Sequence, residues 1–132
     1  MLAASDLLAC KEFPLQTVRR ESRMKAEKLK EMSLLLDFYA GLLTERQREL
    51  CDYYYNDDLS HTEIAAVTGI TRQGVRDSLK KAEDILENAE EALGFLKAWR
   101  ERRGVIDSLD QRLKELGVID EALDQMIKLL RA

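Results

Sequence analysis

Residues Leu59 to Leu79 read LSHTEIAAVTGITRQGVRDSL, and the spacing of caps, glycine and apolar residues in them predicts two short helices joined by a tight turn. Ser60 followed three residues on by Glu63 is a capping box, in which the hydroxyl accepts from a first-turn N–H and the carboxylate reaches back to the cap. A helix therefore starts at Ser60. It runs to about Thr68, because Gly69 supplies the positive φ that ends a helix cheaply, and Thr71 is an N-cap for the next one. A connection of about three residues is the spacing of a helix-turn-helix. Ile64, Ala65, Ile70, Val75 and Leu79 are the motif's core positions, Ala65 small enough for close approach and Ile70 plugging the turn.

The outer face is polar and basic. Arg72, Arg76 and Lys80 recur at four-residue steps along the second helix, away from Val75 and Leu79, with Gln73 beside them. Arginine and glutamine are the side chains that match guanine and adenine edges. Arg72, Gln73 and Arg76 are thus candidates for base contacts, and Lys80 and Lys81 for phosphates. A helical hairpin with solvated charges is the plainer reading. Turn glycine, internal alanine, capping box and basic second helix in one window speak against it, while Thr68 and Ser78 stand where such motifs usually carry apolar residues.

The 132 residues include one proline, seven phenylalanines and tyrosines, and 35% charged side chains, which favours an all-α and partly coiled-coil protein. A net charge of −4 argues against indiscriminate nucleic-acid binding, so contact with duplex DNA has to rest on local charge asymmetry. No run approaches the length of a membrane span, and the amino terminus lacks the order of a signal peptide. A cytoplasmic protein that does not engage the membrane is expected. Cys10 and Cys51 are isolated thiols without metal-ligand spacing, and His61, the one histidine, reads as a solvated helix residue. No catalytic constellation, cofactor loop or metal cluster is present in the pattern, so an enzyme is not expected.

Residues 1–23 read as a poorly ordered leader, with Met24 the plausible initiator. From Lys25 to Leu43 a helix is expected, with Leu29, Met32, Leu36 and Tyr39 or Ala40 on one face and Gly41 ending it. Thr44 opens another through a second capping box with Gln47. Leu50, Tyr53 and Tyr54 give it an apolar face, the tyrosines reading as core and rim packing, and Asn56 to Asp58 mark its exit.

The stretch from Leu35 to Leu93 resembles the YlxM family of small bacterial helix-turn-helix proteins. The resemblance is carried by Asp37-Phe38-Tyr39, by Leu42-Leu43-Thr44 with Gln47, by Tyr54-Tyr55 with Asp57, Asp58, Ser60, Glu63, Ile64 and Ala65, and by Ile70-Thr71-Arg72-Gln73 with Val75, Asp77, Leu79, Lys80 and Glu83. It covers roughly Met24 to Trp99. It implies a domain similar to the promoter-reading fourth region of sigma factors and an association with signal recognition particle components. Gly74, where the family tends to have alanine, and Arg76, where tyrosine is common, depart from the pattern. A mid-helix glycine costs about 1 kcal/mol relative to alanine, and Gly74 also reads as a place of close approach to a phosphate.

Beyond Val75 the pattern predicts one long helix to about Arg103. Leu79, Ala82, Leu86, Ala89, Leu93 and Leu96 form a heptad seam, and the surface turns acidic through Glu83, Asp84, Glu87, Glu90 and Glu91. After Gly104, Val105, Leu109, Leu113 and Leu116 predict a second amphipathic helix. Leu123, Met126, Ile127 and Leu130 predict a third from Asp120. The sequence thus divides into the leader, a helix-turn-helix domain over 24–82 and a carboxy-terminal helical segment over 83–132. Ala82, Leu86, Ala89, Leu93 and Leu96 are the candidate seam of a homodimer that would duplicate the reading helix, with Phe95 and Trp99 at or near that interface. Cover by the chain's own terminal hairpin is the alternative. The competing function is a protein-interaction module that docks on the signal recognition particle, its acidic face steering basic partners.

Overall fold

The computed structural model describes residues 22–132, and every element in them is helical. The expected leader lies outside the described residues except for Ser22 and Arg23, which already belong to helix α1 (22–39). Met32, Leu35, Leu36 and Tyr39 form its buried stripe, and a 3-10 turn at Ala40–Leu42 ends it. Helix α2 (Glu45–Cys51) opens with both halves of the Thr44–Gln47 capping box in place. It then widens into a π turn at Asp52–Asn56. Helices α3 (His61–Thr68) and α4 (Arg72–Leu93) form the helix-turn-helix, followed by α5 (Phe95–Glu115) and α6 (Glu121–Arg131).

The chain packs as two compact units, one ending at Glu87 and one spanning Asn88–Ala132. Every helix of the first unit contributes a side chain with almost no exposure: Met32 from α1, Leu50 and Cys51 from α2, Ile64 from α3, Val75 and Leu86 from α4. Full burial of an aliphatic side chain of this size is worth about 1.5–3 kcal/mol. Burial also pushes the Cys51 thiol up to about 12, with Asp52 and Glu83 adding to it, so the group is a small hydrophobe in practice.

The long helix expected to reach Arg103 instead breaks at Gly94. Gly94 takes a left-handed φ of 65°, its N–H closing on the Glu90 carbonyl at 2.8 Å. The Glu90 carboxylate then accepts from the backbone N–H groups of Leu96 and Lys97, both at 3.0 Å, and so caps α5. Glu90 is accordingly not part of a solvated acidic face. Gly104, expected to be a turn, lies inside α5. Ala82, Leu86, Ala89 and Leu96 are buried by the chain's own atoms, and Leu93 alone of the expected set stays open, at 55% exposure.

In the second unit the buried positions are Leu96 and Ile106 on α5 and Ile127 on α6, with Asp110 beside them. Asp120 caps α6 by accepting from Leu123 N–H at 2.8 Å. Arg131 donates to Asp107 and Asp110, at 3.0 and 2.8 Å, and Lys114 donates to Asp110 at 2.9 Å. These bonds seal one side of the α5–α6 hairpin. On α5, Val105, Leu109 and Leu116 lie within about 40° of one another at about 100° per residue, and Met126 and Leu130 flank Ile127 on α6. All five are exposed. With the two helices antiparallel and facing each other through Ile106 and Ile127, these two strips fall on the same side of the hairpin, away from the Arg131 bonds. Phe95 is exposed too, and Trp99 is half-buried with the Arg103 guanidinium 5.0 Å over its ring.

Gly104 is exposed, and an added Cβ there would meet nothing within 4 Å. Gly104→Ala is expected to raise stability by about 1 kcal/mol, read as a higher melting temperature by circular dichroism. Gly69→Ala is expected to lower it by about 1–2 kcal/mol, because φ there is 74°. The Lys114 hydrogen bond, and then that of Arg131, hold the Asp110 carboxyl below the usual carboxylate range against the opposing effect of burial. A depressed folded value stabilises fully above the unfolded value of about 3.9 and is lost as pH falls through the folded one. The melting-temperature gap between the wild type and Asp110→Asn, present at neutral pH, is therefore expected to narrow as the pH falls below the unfolded value.

Candidate nucleic-acid interface

The motif is built from the local rules its sequence sets. Ser60 Oγ accepts from Glu63 N–H at 3.2 Å while a Glu63 carboxylate oxygen accepts from Ser60 N–H at 2.7 Å. Gly69 closes α3 in the left-handed conformation. Thr71 Oγ1 accepts from Gly74 N–H at 3.0 Å and starts α4. Ile64, Val75 and Leu79 are buried between the helices, while Ala65 and Ile70 are half-buried. Thr68, which stands where leucine is ordinary, bonds the Ile64 carbonyl through its hydroxyl at 2.7 Å, and its own carbonyl accepts from Arg46 at 3.3 Å. Gly74 is not a point of approach for a phosphate. A Cβ on it would stand 2.8 Å from Ile70 Cγ2, so the missing side chain makes room for the residue that plugs the turn.

All five candidate contact residues are exposed, but they do not form one row. Arg72, Gln73 and Arg76 line a cleft of about 600 Å3 together with His61. Lys80 joins Gln73 and Arg76 in a neighbouring cleft that also holds Tyr54, Asp77 and Glu83. Lys81 lines neither, lying about 140° round the helix from Arg76. Lys80 is tied to Asp84 at 2.9 Å, which raises its pKa, and Gln73 donates to Asp77 at 2.9 Å. Arg72 and Arg76 make no hydrogen bond or ion pair among the described residues. Two unpaired guanidinia at one end of α4, and acids from Asp77 onward, confine the basic potential to the first turns of that helix.

Two residues enter the site that the pattern alone assigned elsewhere. His61 lies against Tyr54, ring centroids 5.0 Å apart and 24° from parallel. Burial lowers the imidazole's pKa, as do Arg72, Arg76 and Lys25, with Glu83 opposing. Tyr54 reaches that position because the π turn changes where successive tyrosines point: Tyr54 meets Tyr55 edge-on at 4.9 Å, and the Tyr55 hydroxyl donates to Glu83 on α4. Glu83 also faces Lys28 of α1 at 3.8 Å. The sequence held only a weak sign of this, the three consecutive tyrosines ahead of Asn56.

Fold and site together define a helix-turn-helix protein. Among known proteins, the family described as "Putative helix-turn-helix protein, YlxM / p13 like" matches residues 26–126. The UPF0122 protein lin1916 of Listeria innocua is 37% identical over 105 residues, 80% of this chain and 96% of the relative. A Bacillus cereus relative, UPF0122 protein BCAH187_A3894, is 39% identical over 102 residues, 77% and 93% of the two chains. The chain belongs to this family, UPF0122, which is a helix-turn-helix family rather than an enzyme family. Among the described residues no group of side chains is placed to hold a metal ion, and no helix is long and apolar enough to cross a membrane.

The Tyr55–Glu83 bond joins the π turn to α4 with the carboxylate only 16% exposed. Tyr55→Phe is expected to cost about 1–3 kcal/mol, since it leaves a mostly buried carboxylate one donor short. Urea denaturation of the two proteins measures the difference.

Proposed function

We propose that this protein binds duplex DNA through the first turns of α4 and regulates transcription, with genes of the signal recognition particle pathway as its targets. The observation that carries the reading is the pair of unpaired guanidinia, Arg72 and Arg76, held with Gln73 at one cleft of a helix-turn-helix. Arg72, Gln73 and Arg76 face base edges, and Lys80 and Lys81 approach phosphates on either flank. A chain of net charge −4 gains little from diffuse attraction, so pairing two copies to double the phosphate contacts is advantageous. With the expected seam closed, the open apolar side of α5–α6 takes over as the homodimer interface, through Val105, Leu109, Leu116, Met126 and Leu130.

The same open face favours a second reading, a protein-interaction module that docks on the signal recognition particle. Exposed apolar residues on one side of a hairpin are what a partner helix covers. DNA would then play no part, and the acidic surface of α4 would steer a basic partner.

Fluorescence anisotropy with duplex from the chain's own operon and a scrambled duplex, at two salt concentrations, tests the first reading. Preferential binding that weakens with salt is expected, and Arg76→Glu is expected to abolish it. Arg72→Ala is expected to cost about 1–3 kcal/mol and to relax preference at one base position. Equal or absent binding to both duplexes favours the docking module. In sedimentation the chain is expected to run as a dimer and Leu109→Glu as a monomer.

A further inference from the structure

The cleft at the start of the motif contains a group to which the DNA reading gives no work. His61, Arg72, Gln73 and Arg76 line it, and none of the four is acidic. No hydrogen bond among the described residues occupies either imidazole nitrogen, and the Tyr54 ring stacked on one face holds the imidazole plane in place. We infer that a backbone phosphate of bound DNA seats in this cleft against the imidazole of His61, beside the guanidinia of Arg72 and Arg76, and that binding draws a proton toward His61. The inference rests on the DNA reading and adds a contact from α3 to it.

The physical case is one of charge. The groups facing His61 from the elements around it are Tyr54 of the π turn, Lys25 of α1, and Arg72, Arg76 and Glu83 of α4, with Asp77 and Lys80 of α4 lining the neighbouring cleft beside it. Of these only Glu83 and Asp77 favour an imidazolium, and both are already engaged, Glu83 by Tyr55 and Lys28 and Asp77 by Gln73. In the free protein a third cation among the arginines is therefore disfavoured, and the imidazole titrates below its usual range. A phosphate reverses that balance. It offsets the guanidinium charge and offers an acceptor to the ring N–H, so a proton from the buffer is held at the second nitrogen. A guanidinium carries five donors, so each arginine can meet a base edge and still spare a donor for the phosphate.

His61 is the only histidine in the chain, which lets nuclear magnetic resonance follow its imidazole alone in the full-length protein. The titration midpoint of His61 is measured in the free protein, with saturating duplex from its own operon, and with inorganic phosphate. The expected result is an upward move of about one pH unit on duplex, equivalent to a tenfold gain in affinity between alkaline and acid limits. His61→Gln is expected to bind with that tenfold pH dependence removed. A midpoint that duplex leaves unmoved or lowers, or a His61→Gln protein that keeps the full pH dependence, overturns the phosphate contact and leaves the DNA reading standing. Absence of duplex binding at any pH overturns both. A rise with inorganic phosphate but none with duplex marks a small-anion site and likewise overturns the assignment to DNA.

Discussion

One carboxylate holds the first unit in register. Glu83 sits on α4 with little exposure, takes the Tyr55 hydroxyl from the π turn and faces the Lys28 ammonium of α1. A charged group in such a place is tolerable only while its partners stay, because removing one leaves the penalty of desolvation uncompensated. The three elements that supply and surround it are thereby held to one relative arrangement. Tyr54 sits under His61 because Tyr55 is fixed at Glu83, and His61 stands beside Arg72 and Arg76 because α3 is closed by Gly69 at the length its capping box sets. The chemistry of the cleft thus depends on an interaction outside the motif that presents it.

The site itself divides its charge sharply. Among the described residues Arg72 and Arg76 have no partner, whereas four residues further along Lys80 is matched by Asp84. Beyond it Glu90 is spent on the N-terminus of α5. The helix is basic where its first turns are open and internally neutralised where it enters the second unit. A chain that is acidic as a whole can carry an anion-attracting end in this way, since exposed charges act over about one Debye length.

Much of this was legible from residue order. The boundaries of α3, the left-handed Gly69, both capping boxes and the burial of Ile64, Val75 and Leu79 follow from local rules, because each depends on residues within four positions of one another. The misreadings concern longer range. Gly94 and Gly104 look alike in sequence, and what separates them is Glu90 reaching forward to cap Leu96 and Lys97. The heptad pattern of Ala82, Leu86, Ala89 and Leu96 describes a surface that must be covered without saying by what, and the chain covers it itself. Val105 and Leu109 give α5 its amphipathic period yet lie exposed, whereas Ile106 and Asp110 are buried and Arg131 at the end of α6 bonds Asp107 and Asp110. His61 and Tyr54 came together through a π turn, which no periodicity announces.

That turn has a consequence for how the family's members can differ in length. A π turn is the trace that one extra residue leaves in an α-helix, and here the extra residue lies between Asp52 and Asn56. A gene that lost a single codon in this segment would return the helix to ordinary pitch and leave the residues beyond it facing as they do, because the wide turn is what absorbs the extra residue. A deletion in the loop after Asp57 would shorten a connection only. A one-residue difference in length among relatives is thus tolerable on both sides of Asn56, in the π turn as in the loop.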